Sequence, residues 1–227
     1  MFITFEGGDG AGKTTQVRRL AAHLREEHYA IRETREPGGT PLANAFRALL
    51  LHPEESLRAL TQAHLTPEDE HAEQVLPITE VFLLSAGRAQ HVARIREWLA
   101  ADEIVISDRY ADATRVYQGA ARGLDQSVIF AAERLATGGL VPDLTFLLDL
   151  PVEEGLRRRH EAHANGDELN RLDRETVAFH ERVRAGYLAL AESEPTRWVV
   201  LDATRSPDQL AVAIWEAVTS RLRLHQD

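Results

Sequence analysis

FITFEGGDGAGKTT, residues 2–15, decides the fold. Residues 2–6 are a short apolar run with β-branched and aromatic side chains, the composition of a buried strand. Gly7 follows, then four residues, then Gly12-Lys13-Thr14. This is the spacing of a phosphate-binding loop, and it opens a helical stretch over 15–27. Glycines let the chain curl until successive N–H groups point at one anion. The helix behind them adds the positive end of its dipole. Gly7, Gly8, Asp9, Gly10, Ala11, Gly12, Lys13, Thr14 and Thr15 are therefore expected to cradle a nucleoside triphosphate. Lys13 would reach its β- and γ-phosphates, and the Thr14 hydroxyl would ligate Mg²⁺.

Working outward, the 227 residues suffice for one α/β domain with a substantial core, so 1–227 is read as a single domain. A formal charge of −10 runs against duplex nucleic acid as a partner, because phosphate neutralisation dominates such binding. With no cysteine, disulfides and thiolate metal sites are excluded. No apolar run is long enough to span a bilayer, and the cytoplasm is the expected location. Further apolar strands are expected over 30–34, 103–107, 144–148 and 198–201. Helical stretches separate them, among them 42–51, 78–100 behind Pro77, 112–119, 126–137, 171–192 and a last one after Ser206-Pro207. Five strands alternating with helices predict a parallel sheet covered on both faces.

Ligands in such sheets sit at the carboxyl ends of strands. Three stretches fall there. Residues 34–41, TREPGGTP, form a shaped loop that brings Arg35 toward an anion, and the Glu36-Pro37 bond is a candidate cis peptide. Asp108-Arg109-Tyr110 follows the 103–107 strand, so Asp108 is placed to hold Mg²⁺ or its waters and Arg109 to meet a phosphate. The helix after Pro151 is expected to end in Arg157-Arg158-Arg159. Two readings stand for that triplet, a solvated helix face or a mobile arginine lid over about 157–171. Residues 52–74 are read as a polar, irregular insert with solvated histidines.

Taken in order, FEGGDGAGKTT, TREPGGTP, Arg88-Ala-Gln-His91, SDRY with a later Tyr117-Gln-Gly119, Pro142-Asp143-Leu-Thr, and Arg171-Leu-Asp with Val183-Arg-Ala-Gly-Tyr187 resemble the bacterial thymidylate kinases, P-loop nucleoside monophosphate kinases, over nearly the whole chain. The resemblance implies ATP- and Mg²⁺-dependent phosphorylation of dTMP to dTDP by a homodimer. It assigns Arg109 and Arg35 to the acceptor phosphate and Asp9 to the sugar 3′-hydroxyl. Pro37, Leu84, Arg88, Thr114, Tyr117 and Gln118 fall to the acceptor pocket. Arg88 would donate to a thymine carbonyl, Thr114 would accept from the ring N–H, and Tyr117 would crowd a ribose 2′-hydroxyl. Adenine would lie near Ala203-Thr204. One branch of the family carries an arginine where Gly10 stands. The other supplies it from the lid, here Arg158 or else Arg159.

Two positions depart from the family. Leu84 replaces an aromatic residue that stacks on the base, a contact worth ~1–3 kcal/mol. Phe82, two residues away, faces roughly the opposite side of the helix. Gly87 replaces an acidic residue at a cost of about 1 kcal/mol relative to alanine. A deoxynucleoside kinase, a diverged kinase of another monophosphate, and a non-catalytic nucleotide-binding module are the competing readings. The first needs a carboxylate base. The last has less reason to keep Lys13, Thr14 and Asp108 together.

Overall fold

The computed structural model describes residues 1–66, 74–166 and 170–224. Five parallel strands form one sheet in the order β2-β3-β1-β4-β5. They are β1 (Phe2–Glu6), β2 (Ile31–Arg35), β3 (Ile104–Asp108), β4 (Leu144–Asp149) and β5 (Trp198–Asp202). β1 is buried along its length, as a central strand covered on both faces must be. Its side chains alternate. Ile3 and Phe5 pack with Phe146 of β4 under α1 (Lys13–Glu26) and α9 (Pro207–Leu224), whereas Phe2 faces the other layer. On that second face lie α4 (Pro77–Ala100), α6 (Gln126–Thr137) and α8 (Val177–Ser193). The alternation also turns Thr4 and Glu6, both fully buried, to the second face.

The structure corrects four expected boundaries. Within the insert, Pro53–Gln62 is a helix, α3. Pro53 occupies its first turn with Glu54 and Glu55 against the positive dipole end, so local chemistry builds a helix with no fully buried residue. The remainder of the insert, 67–73, lies outside the described residues. The helix bearing the arginine triplet, α7 (Val152–Ala164), runs past Arg159, because Arg157 bridges Glu154 and Glu161 along one face. Residues 167–169 of the expected lid also lie outside the described residues. The stretch expected as one helix over 112–119 is instead α5 (Ala111–Thr114) running into a π-helical turn, Arg115–Ala121. Finally, α8 begins only at Val177, where Thr176 caps it by accepting from the Phe179 N–H at 3.2 Å. A 3-10 turn, Leu172–Arg174, precedes it.

The Glu36-Pro37 bond is cis, as the loop composition suggested. It follows β2, and the next helix, α2 (Pro41–Leu51), begins under a Thr40 cap.

Candidate active site

The phosphate loop leaves β1 and enters α1 at Lys13. Gly10 has φ +77°, and a Cβ there would stand 2.3 Å from the Gly155 carbonyl oxygen in the first turn of α7. An arginine at this position would therefore collide with α7 backbone, whereas α7 itself carries three. Lys13 is buried, and its ammonium donates to the Gly7 and Gly8 carbonyls at 3.1 and 2.7 Å. Burial, and Arg109 after it, push the Lys13 pKa down to about 8 against the pull of Asp9, Asp108 and Glu6.

The Thr14 hydroxyl donates to Asp108 at 2.5 Å, joining the start of α1 to the end of β3. Two hard oxygen donors side by side at the phosphate loop suit Mg²⁺, which takes one or two protein oxygens and completes its shell with phosphate and water. The residues present thus fit the ion. Among the described residues no group of three or more acidic, His or Cys side chains is gathered as a metal cage.

Arg109 adopts φ +70°, a conformation a non-glycine residue seldom takes, and its N–H donates to the Phe5 carbonyl at 2.9 Å. Its guanidinium donates to the Gly7 carbonyl, to the Tyr187 and Tyr117 hydroxyls at 3.0 Å each, and to Asp9 at 2.7 Å. The residue expected at the acceptor phosphate and the one expected at the sugar are thereby an ion pair. Behind them Glu6 accepts from the Tyr187 hydroxyl and the Tyr110 N–H, both at 2.7 Å. Burial first, and Asp112 second, raise its carboxyl pKa to about 8.

Two cavities meet at Asp9, Glu36, Arg47, Arg109 and Asn170. One is an open cleft of about 2060 Å³, solvent included, lined by the loop, Arg35, Asp108, Arg158 and Arg159. The other is a pocket of about 650 Å³ lined by Pro37, Leu84, Arg88, Thr114, Tyr117 and Gln118 among others. Every residue expected at the acceptor except Arg35 is thus brought to one pocket, and Arg35 lies on the cleft side. Ala203 and Thr204 do not line the cleft. Ala203 is buried, and its carbonyl accepts from Arg158 at 3.2 Å. Arg159 is held by Asp173 at 2.8 Å.

In the wall of the pocket Arg88 is almost wholly buried. Glu36 accepts from its Nε at 2.8 Å, and Thr114 accepts from its Nη2 at 3.0 Å. Its Nη1 is buried with no partner in the protein. A buried donor without an acceptor is costly unless a ligand supplies one. His91 completes the support, lying between Glu36 at 3.0 Å and the Thr34 hydroxyl at 2.6 Å. Leu84 lines the pocket as expected, and Phe82 is 63% exposed on the other side of α4.

Sequence reasoning missed Glu36, His91, Glu6, Tyr187 and Arg47 as parts of the site. A buried arginine demands a buried carboxylate, which could have singled out Glu36 beside its proline. Arg47 lacked any such signal. It sits on α2, donates to the Pro37 carbonyl at 2.9 Å, and lines both cavities. Burial, then Arg35 and Arg109, press its pKa down to about 10. Three guanidiniums crowded together mark a place for a multivalent anion.

A parallel sheet in this order, a phosphate loop, and an adjoining pocket whose mouth is ringed by arginines define a P-loop kinase acting on a small phosphorylated acceptor. Residues 5–214 match the thymidylate kinase family model. The chain is 50% identical to a thymidylate kinase of Thermomicrobium roseum over 223 residues, covering 98% of this chain and 96% of that one. It is 46% identical to that of Geotalea uraniireducens, covering 97% of each. A crystal structure of thymidylate kinase from Ehrlichia chaffeensis superimposes with a TM-score of 0.67 at 31% identity, covering 96% of this chain and 98% of that one. The chain belongs to the thymidylate kinase family.

Proposed function

We propose that this chain transfers the γ-phosphoryl group of ATP to dTMP, giving dTDP and ADP. The observation that carries this reading is the junction of the two cavities. There Arg35, Arg47 and Arg109 converge beside the phosphate loop, while Arg88, which lines the pocket but not the cleft, keeps an unpartnered Nη1. An acceptor with a phosphate at one end and a carbonyl-bearing base at the other satisfies both. Thymine offers a carbonyl where cytosine offers an amino group, so Arg88 rejects cytosine.

A phosphate oxygen of dTMP attacks the γ-phosphorus as the bond to the β-phosphate oxygen breaks, and ADP leaves. The attacking oxygen is already anionic, so no general base is required, and catalysis is positioning with charge neutralisation. Lys13 and the loop amides hold the donor phosphates. Arg35, Arg47 and Arg109 hold the acceptor phosphate, and Asp9 orients Arg109 and the sugar. Arg158 or Arg159 adds charge from α7. Thr14 and Asp108 would hold Mg²⁺, which when bound neutralises phosphate charge and orients the triphosphate. Tyr117 guards the sugar edge and Gln118 the pocket wall. Adenine lies toward Ala203 and Thr204, past Arg158. Residues 1–227 act as a single kinase domain in which the 157–171 stretch serves as lid. A cytoplasmic homodimer is the proposed working form. No helix among the described residues is long and apolar enough to cross a membrane.

The test is ADP release with ATP–Mg²⁺ against dTMP, dUMP, dCMP, UMP and thymidine. Turnover with dTMP well above the others is expected. Turnover confined to thymidine would overturn the reading in favour of a nucleoside kinase. Sedimentation of the purified protein tests the dimer.

A further inference from the structure

One buried carboxylate lies outside both cavities and yet binds the wall of the acceptor pocket and the segment beside the cleft. Glu80, on α4, is 1% exposed. Its Oε2 accepts from Gln118 Nε2 at 2.7 Å and from Arg122 Nε at 3.0 Å, both on or beside the π-helical turn. Its Oε1 accepts from Arg171 Nη2 at 2.7 Å, at the start of the segment that leads to α8. Arg122 also reaches Glu175 at 2.8 Å. Arg171 is pinned a second time at the end of α2, its N–H and Nε donating to the Leu51 and Leu50 carbonyls at 3.2 and 3.3 Å.

The segment so fixed carries functional groups on both sides. Asn170 and Leu172 line the acceptor pocket together with Gln118 and Leu50. Asp173 holds Arg159 of α7 by a two-point ion pair at 2.8 and 3.0 Å and also accepts from the Asn170 N–H. A connected path therefore runs from the pocket wall at Gln118, through Glu80 to Arg171, along the chain to Asn170, and from there to Asp173 and Arg159 in the nucleotide cleft. No other carboxylate reaches Gln118 and Arg171 together among the described contacts.

We propose that Glu80 is a positioning residue that couples the acceptor pocket to the arginines of α7. It contacts no substrate. It fixes residues 170–175 against the pocket, and that segment in turn sets where Asp173 holds Arg159. The inference rests on the dTMP kinase reading for its effect on turnover, and its effect on local order stands without it.

Glu80→Gln, Arg171→Ala and Arg171→Lys, with the Glu80→Gln/Arg171→Ala pair, test the coupling. Wild-type turnover with dTMP first checks the underlying reading. We expect kcat to fall about tenfold and KM for dTMP to rise in Glu80→Gln and Arg171→Ala, with ATP affinity unchanged, a split that loss of packing alone does not produce. Arg171→Lys should recover part of the loss, and the double variant should be no worse than Glu80→Gln. Amide exchange at Arg171 and Leu172, which needs no turnover, should quicken about tenfold in Arg171→Ala while α1 stays protected. Arg171 is partly exposed, so its variants remain informative if Glu80→Gln does not fold. Wild-type kcat and wild-type exchange in Arg171→Ala, or full additivity in the double variant, would overturn the proposal.

Discussion

Replacing Glu36 by glutamine probes the support of the base end of the pocket. The two side chains of the Glu36–Arg88 pair are 4% and 1% exposed, so solvent cannot take over for a missing charge. Glutamine keeps the shape but offers one acceptor oxygen where Glu36 uses both, one for Arg88 and one for His91. Removing one partner of a buried pair costs about 3–5 kcal/mol, since the other charge is left uncompensated. Against a total of ~5–15 kcal/mol this is a large fraction. At ~2–4 °C per kcal/mol for a chain of this length, the melting temperature should fall by roughly 6–20 °C. The pH dependence has a definite sign. Burial pushes the Glu36 carboxyl up, but Arg88 and His91 outweigh it and hold the folded-state pKa below the ordinary 4.5. The contribution is therefore complete above that ordinary value and is lost as pH falls through the lower folded value. Thermal unfolding of both proteins from neutral pH downward should show a wide gap that narrows only below about pH 4.5. KM for dTMP should rise as well, because Arg88 loses the contact that aims its Nη1. A melting temperature within about 2 °C of wild type at neutral pH would refute the ion-pair reasoning.

Arg109→Ala should lower kcat/KM for dTMP by about 10³-fold while ATP still binds, and an unchanged kcat/KM would remove Arg109 from the transfer step. Lys13, held near 8, must take up a proton when a triphosphate binds above that pH. ATP affinity should therefore be flat below pH 8 and weaken above it, with proton uptake visible by calorimetry in buffers of different ionisation heat. Gly87→Ala should stabilise the protein by about 1 kcal/mol, because the new Cβ would meet Ala43 of α2 at 3.4 Å, an ordinary contact, while the helix gains propensity. A lower melting temperature in that variant would mean that α2 and α4 cannot accept the methyl group.

The sequence alone determined the five strands, the phosphate loop, and the placing of 34–41 and 108–110 at the carboxyl ends of β2 and β3. Each rests on short-range chemistry: a buried central strand is a short run dominated by β-branched and aromatic residues, and a glycine-rich turn before a helix has one dominant use. The family motifs then carried Leu84, Arg88, Thr114, Tyr117 and Gln118 to one pocket. Helical geometry alone put Phe82 outside it. Only the tertiary structure decided what holds those residues. His91 of α4 meets Thr34 at the end of β2 and Glu36 just after it, more than fifty residues away in sequence. Glu6 reaches Tyr187 across 181 residues of sequence. The same holds for Arg47, an unremarkable position on an amphipathic helix until the fold sets it against Arg35 and Arg109. Periodicity records which face of an element is buried. It does not record which distant polar group that face will meet, and burial makes that pairing obligatory.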